Sequence, residues 1–290
     1  MSTSQKTEKV NGLWTMTKGE FEESVSALEK AVVKQGGNPR DLFDLFRTDG
    51  EYAGRIAQVM MRKGLVGSIE SRLARVVLGR NIFTDADWMS YYDAKFTKKQ
   101  LREAGKFPWG EDVLNSPCPF NKGKLVKDTH FAFLGISSLN GQPLKVAKLL
   151  ELHPATGQPK FYFNTDPWHV GQPHTDVATM QLHWYLLLKE IVPGSTDKTS
   201  EEQVAMLPAE YEVPTTIVET TKDILVFKKT NERPNGSRWA ACTERTVKTD
   251  KVSAGHVSCV GRFCERGLRV DFWSGNRSYD LVGLGASRKF

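Results

Sequence analysis

The sequence predicts an α+β protein: an N-terminal helical unit, then a mixed α/β domain closing in short C-terminal strands. Three observations carry this. Apolar residues recur at helical spacing through the first third of the chain. The character changes at Phe107-Pro108-Trp109-Gly110, which places a boundary between units 1–105 and 106–290. Beyond Asn235-Gly236, turn signals alternate with short runs rich in β-branched and aromatic residues.

Residues 1–15 are polar and read as frayed. Phe21, Val25, Leu28 and Val32 mark a first helix, stopped by Gly36-Gly37. Pro39 opens a second, through Leu42, Leu45 and Phe46. A third is expected over 51–62, and a fourth carries Ile69, Leu73, Val76, Val77 and Leu78. Thr84 with Asp87 forms a capping box for a helix holding Trp88, Tyr91 and Tyr92. A short helix over 97–104 ends the unit. Strands are then expected at 129–136, 144–152 and 161–163, and an apolar helix at 176–191. Ser200-Glu201-Glu202-Gln203 begins a short capped helix. Residues 214–228 read as a helix with Pro214 in its first turn. Four strands follow, at 238–246, 256–263, 268–273 and 281–287.

Composition removes several classes. Among 290 residues, 39% are hydrophobic and 10% aromatic, enough to build a core. No apolar run reaches the length of a spanning helix, so no membrane insertion is expected. The N-terminus lacks the apolar stretch of a secretory signal, so a cytoplasmic, reducing location with free thiols is the default for the four cysteines. The net charge of +6 is concentrated at one end: residues 228–290 hold thirteen Lys/Arg against six Asp/Glu.

Catalytic signatures fail one by one. His153, His169, His174 and His183 cluster in the sequence beside Asp166 and Asp176, but their spacing matches no metalloenzyme motif. Gly283-Leu284-Gly285 has no helix after it to hold a pyrophosphate. Ser195 lacks the second glycine of a nucleophile elbow. His256, Cys259 and Cys264 are a poor match to structural zinc spacing. No catalytic residue, metal or cofactor is expected.

Between residues 256 and 280, scaffold residues interleave with side chains of every chemical kind: His256, Ser258, Cys264, Arg266, Arg269, Asp271, Phe272, Asn276, Ser278, Tyr279 and Asp280. Alternation along a strand sends Leu268 and Val270 inward and Arg269 and Asp271 outward. Exposed Tyr, Phe, Arg, Asn and Ser on short strands and loops compose an adaptable recognition surface. An ordinary solvated sheet edge has the same composition.

A resemblance bears on that choice. Val260-Gly261-Arg262-Phe263, Gly267-Leu268, Val270, Trp273, Arg277, Gly283-Leu284 and Ser287-Arg288-Lys289 together resemble the C-terminal end of variable proteins of diversity-generating retroelements, found in bacteria and archaea. The stretch 184–235, with Ser195, Glu201-Glu202-Gln203 and Glu212-Val213-Pro214-Thr215, is similar to the same group, as is Leu73–Asn81. The resemblance implies a C-type lectin fold whose last strands and turns display residues varied by adenine-directed mutagenesis. Ligand binding then needs neither calcium nor carbohydrate chemistry. Asparagine codons randomised at adenine cannot yield Trp, Met, Lys, Glu or Gln, and the eleven residues above avoid all five; Glu265, Trp273 and Lys289 would be scaffold. Which of Ser274, Gly275 and Asn276 belong to the varied set stays open.

The expected function is therefore a non-enzymatic ligand-binding protein whose diversified surface meets a protein or cell-surface ligand. Two rivals from other classes remain. One is a basic nucleic-acid-binding protein using Arg262, Arg266, Arg269 and Arg277 on phosphates. The other is a metal-dependent hydrolase built on the histidines of 153–183.

Overall fold

The computed structural model describes residues 18–50, 69–162 and 168–290. It is a mixed α+β structure with strands mostly in the C-terminal half. Close packing divides the chain into two units, residues 1–64 and 65–290.

In the first unit, helix Lys18–Lys34 stops where Gly36 takes φ 78°. Helix Pro39–Thr48 starts with proline in its first turn, and Asn38 Oδ1 accepts the Arg40 amide at 3.0 Å. The helix expected over 51–62 lies outside the described residues.

The helices at 69–104, which the sequence reading places in the N-terminal unit, pack within the larger body. Strand β1 (Ile82–Phe83) pairs in parallel with β2 (His130–Leu134). Buried Trp88, on helix Asp85–Tyr92, donates its indole N–H to the Leu134 carbonyl at 2.7 Å. The Thr84/Asp87 capping box is present, with the Thr84 amide 2.7 Å from Asp87 Oδ2, and Thr97 caps helix Lys98–Ala104 in the same way.

Three sheets follow. A small hairpin joins β3 (Ser138–Leu139) and β4 (Gln142–Pro143). A five-stranded sheet has the order β1-β2-β5-β11-β6, with β5 at Trp184–Leu188, β6 at Tyr211–Glu212 and β11 at Ser287–Arg288. A four-stranded sheet has the order β10-β7-β8-β9, with β7 at Trp239–Arg245, β8 at Val257–Cys264, β9 at Gly267–Trp273 and β10 at Val282–Leu284. The expected last strand thus divides. Its first half pairs with β7 in parallel, and its second half crosses to the other sheet between β5 and β6.

Two sequence expectations are overturned. Residues 146–152 form a helix rather than a strand. Val146 and Leu149 are buried one turn apart, while Lys148 and Glu151 pair at 2.7 Å on the outer side. Residues 176–191 are not a helix: Pro173–Asp176 is one helical turn, and Trp184–Leu188 is the strand between β2 and β11. Trp184, Leu186, Leu187 and Leu188 are all buried, and a strand covered on both faces has no alternation to read.

Helix Thr216–Thr230 lies against β7 and β8, and every residue from 216 to 227 is buried. Polar groups at such positions must be satisfied internally. Lys222 Nζ is 2.6 Å from Glu219 Oε1 and donates to the Lys189 carbonyl at 2.8 Å; it also lies 3.0 Å from Asp223 Oδ1. Burial alone would lower the Lys222 ammonium, but the Asp223 and Glu219 carboxylates outweigh it and hold the charge in place. Among the described residues, no helix is long and apolar enough to cross a membrane.

Candidate functional site

The register of the four-stranded sheet assigns its faces. Gly261 opposes Trp239 and Arg269; Cys259 opposes Ala241 and Asp271; Val257 opposes Trp273. Directly paired residues share a face, so Trp239, Cys259, Arg269, Asp271 and Trp273 stand on one side. Ser258, Val260, Leu268, Val270 and Phe272 stand on the other, towards helix Thr216–Thr230. Leu268 and Val270 are buried while Arg269 and Asp271 are half-buried, as alternation requires.

On the outward side lies a cavity of about 470 Å³, roofed by the 274–282 segment. Arg269, Asp271, Ser278 and Tyr279 line it, joined by Arg262 and Arg277, and Phe272 borders it from the other face of β9. Trp239, Cys259 and Trp273 lie on its sheet side, and all three are buried. Asn276 and Asp280 are exposed on the same roofing segment.

The segment is held by its backbone. The Ser200 amide donates to the Gly275 carbonyl at 2.8 Å, and the Asp197 amide to the Tyr279 carbonyl at 3.1 Å. A Cβ on Gly275 would come within 2.7 Å of Val257, so the chain passes where only glycine fits without a shift. Anchored main chain with outward side chains is what a display surface needs. Tyr279 is 52% exposed.

The remaining predicted residues separate. Phe272 packs on Trp168 at 4.7 Å and on His256 at 5.1 Å, forming an aromatic group at the sheet edge. Cys264 is half-buried and Arg266 exposed at the β8–β9 hairpin. Ser258 requires correction: it is fully buried on the inward face, with its hydroxyl 2.9 Å from Thr216 Oγ1. It belongs to the packing of the helix, because β8 is covered on both sides at that point.

Electrostatics distinguish the cavity. Burial raises the Asp271 carboxyl above its usual range; the Phe272 amide, at 2.8 Å, and then the Arg269 and Arg262 charges act in the opposite direction. Arg269 lies 3.8 Å over the Tyr162 ring, a cation–π stack. Arg262 reaches the cavity because a bulge interrupts the ladder after Gly261. Arg262 takes φ 45°, and its amide donates to the Arg238 carbonyl at 2.8 Å. Sequence alternation could not foresee that turn, although Gly261 before an arginine was its one visible sign.

The catalytic rivals receive little from the geometry. The histidines disperse: His153 binds the Tyr92 hydroxyl at 3.0 Å and the Pro159 carbonyl, while His183 donates to the Trp184 carbonyl. His169 and His174 pack on Trp168. Burial pushes the rings of His153 and His174 down to about 4, which favours neutral, structural imidazoles. Asp166 lies outside the described residues. Among the described residues, no group of three His, Cys, Asp or Glu is placed to hold a metal. Ser195 is a structural pin, its hydroxyl donating to the Val192 carbonyl at 2.6 Å and accepting the Leu284 amide at 2.8 Å.

A larger cavity, about 690 Å³, is lined by His183, Tyr185, Glu212, Cys242 and Arg245 among others, and includes none of the eleven predicted residues. Arg245 there is committed to the Gly255 carbonyl and the Ser200 hydroxyl. The smaller cavity is the better candidate because its arginines lack such partners among the described residues. Comparison of the chain with protein-family models, curated proteins and solved structures returns no match, so the argument for function rests on this cavity and its chemistry.

Proposed function

We propose that the protein is a non-enzymatic ligand-binding protein whose recognition surface is the outward face of the β8–β9 sheet together with the 274–282 segment. The observation that carries this reading is convergence. Four side chains singled out for their chemical variety, Arg269, Asp271, Ser278 and Tyr279, stand at one cavity, and the segment carrying the last two is fixed by main-chain bonds. Such a surface can change its side chains without changing its fold.

The resemblance of residues 260–289 to retroelement variable proteins supports the further reading that this face is diversified and that the domain is a C-type lectin fold. The ligand would then be a protein or a cell-surface component. Ser258 drops out of the displayed set because of its burial.

A library tests the reading. Arg269, Ser278, Tyr279 and Asp280 are randomised together, and the variants are scored for soluble expression, thermal unfolding and selection on immobilised proteins. Most members are expected to fold, and different members to select different targets. A library that mostly unfolds would show that these side chains are structural. An imperfect copy of the DNA for residues 256–280, beside a reverse-transcriptase gene and carrying adenines at the varied codons, is the expected genomic sign.

A further inference from the structure

The cavity has an uneven charge. Arg262, Arg269 and Arg277 line it against one carboxylate, Asp271. Among the described residues, none of the three guanidinium groups forms an ion pair, and none is anchored by a side-chain hydrogen bond. Arg269 Nε is buried without a hydrogen-bond partner among the described residues, and its stack on Tyr162 fixes the plane of the group. Arg262 and Arg277 are exposed. Arginines placed to guard the fold would be expected to hold carboxylates or carbonyls, as Arg245 does. Beside the guanidinium groups lies apolar surface: Trp239, Trp273, Leu281 and Val282, with Tyr279 at the rim.

We infer that this cavity takes an acidic peptide segment: a carboxylate side chain held by the arginines, with a neighbouring apolar side chain seated on the tryptophan floor. The inference rests on the reading of this face as the recognition surface and adds the chemical class of its ligand. Planar guanidinium groups bind carboxylates in two-pronged fashion. One cavity lined by three arginines suits a localised anionic group. A nucleic-acid track instead spreads its cations along successive phosphates. Asp271 opposes a doubly charged phosphomonoester more strongly than a singly charged carboxylate.

The test is selection of a displayed library of random dodecapeptides on the full chain, followed by affinity measurement of the recovered peptides and of a single-stranded DNA oligonucleotide. Recovered peptides are expected to be enriched in Asp or Glu adjoining Leu, Phe or Trp. Arg277→Gln and Arg269→Gln should each weaken them about tenfold, and Asp271→Asn should tighten them about threefold by removing a like charge. Unfolding curves of each variant separate lost binding from lost fold.

Selection of neutral or basic peptides, loss of binding in Asp271→Asn, or recovery of no peptide would overturn the inference. Oligonucleotide binding stronger than that of any peptide, with the same arginine dependence, would overturn it in favour of nucleic acid. Neutral peptides that still depend on Tyr279 and Arg277 would sink the ligand class and leave the recognition surface standing. Peptides indifferent to every residue of the cavity would sink both.

Discussion

The two sides of the four-stranded sheet treat charge in opposite ways. Behind it, helix Thr216–Thr230 buries a lysine completely and closes it between Glu219 and Asp223. In front, three arginines share a cavity with one aspartate and take no ionic partner among the described residues. A buried ammonium without a partner is prohibitively costly, so Lys222 must be paired within the chain, and it is. Glu219 Oε2 and the Asp223 carboxylate nevertheless take no hydrogen bond among the described residues. The front set reaches water and can stay incomplete. The difference separates residues that answer to the fold from residues free to answer to something else.

Breaking the rear set should have the largest effect. Lys222→Met leaves two carboxylates facing each other in the core and should cost about 3–5 kcal/mol in urea unfolding. A cost under about 1 kcal/mol would erase the contrast between the two sides. Next comes the floor of the front cavity. Trp273→Ala should cost about 2–5 kcal/mol, although Trp273 shares its face with Arg269 and Asp271, because it packs in a cluster with Trp239, Val257 and Val282. The front is therefore tolerant at its rim and rigid beneath.

Ser258→Ala should cost about 1 kcal/mol through the lost contact with Thr216, which keeps the Glu244 carboxylate at 2.8 Å. Full tolerance of bulky residues at 258 would return it to the displayed set. Asp271 offers a smaller, pH-dependent effect. Its carboxyl is raised in the fold, so its favourable contribution is complete below the unfolded value of 3.8 and is lost as the pH rises through the folded one. Asp271→Asn should gain stability over the wild type between pH 4 and 7, and thermal melts across that range measure the gap. A constant gap would mean that Asp271 titrates normally. At the rim, Arg277→Gln and Tyr279→Ser should stay within about 0.5 kcal/mol.

Much of this arrangement was legible beforehand. The alternation Leu268-Arg269-Val270-Asp271 placed the two faces of β9, and the capping pair at Thr84 started its helix as expected. Helix Thr216–Thr230 was legible from one apolar stripe, although its Thr, Lys and Asp residues gave no sign that the polar side would be buried too. The apolar segment 184–188 was misread because a short strand covered on both faces has the composition of a buried helix. Residues 144–152 failed in reverse: Leu144 and Val146 began an alternation that Leu149 and Leu150 then broke. In the site, Ser258 misled because alternation tells one side from the other but not whether either is covered. Arg262 was left out of the displayed set, since a bulge depends on backbone contacts that no residue pattern spells out.

The passage of residues 282–288 from one sheet into the other has a consequence for the making of the protein. β10 completes the edge of the sheet that carries the proposed recognition face, and β11 fills the gap between β5 and β6. Immediately beyond, the Lys289 carbonyl accepts the Trp109 indole N–H at 2.9 Å, fastening the crossing to an early part of the body. On the ribosome, neither sheet can close until this stretch has emerged. A chain stopped or frameshifted anywhere in residues 256–280 lacks β10 and β11, and so lacks strands in both sheets at once. Under the proposed function, a substitution in this stretch would leave both sheets able to close, whereas a truncation there would open both.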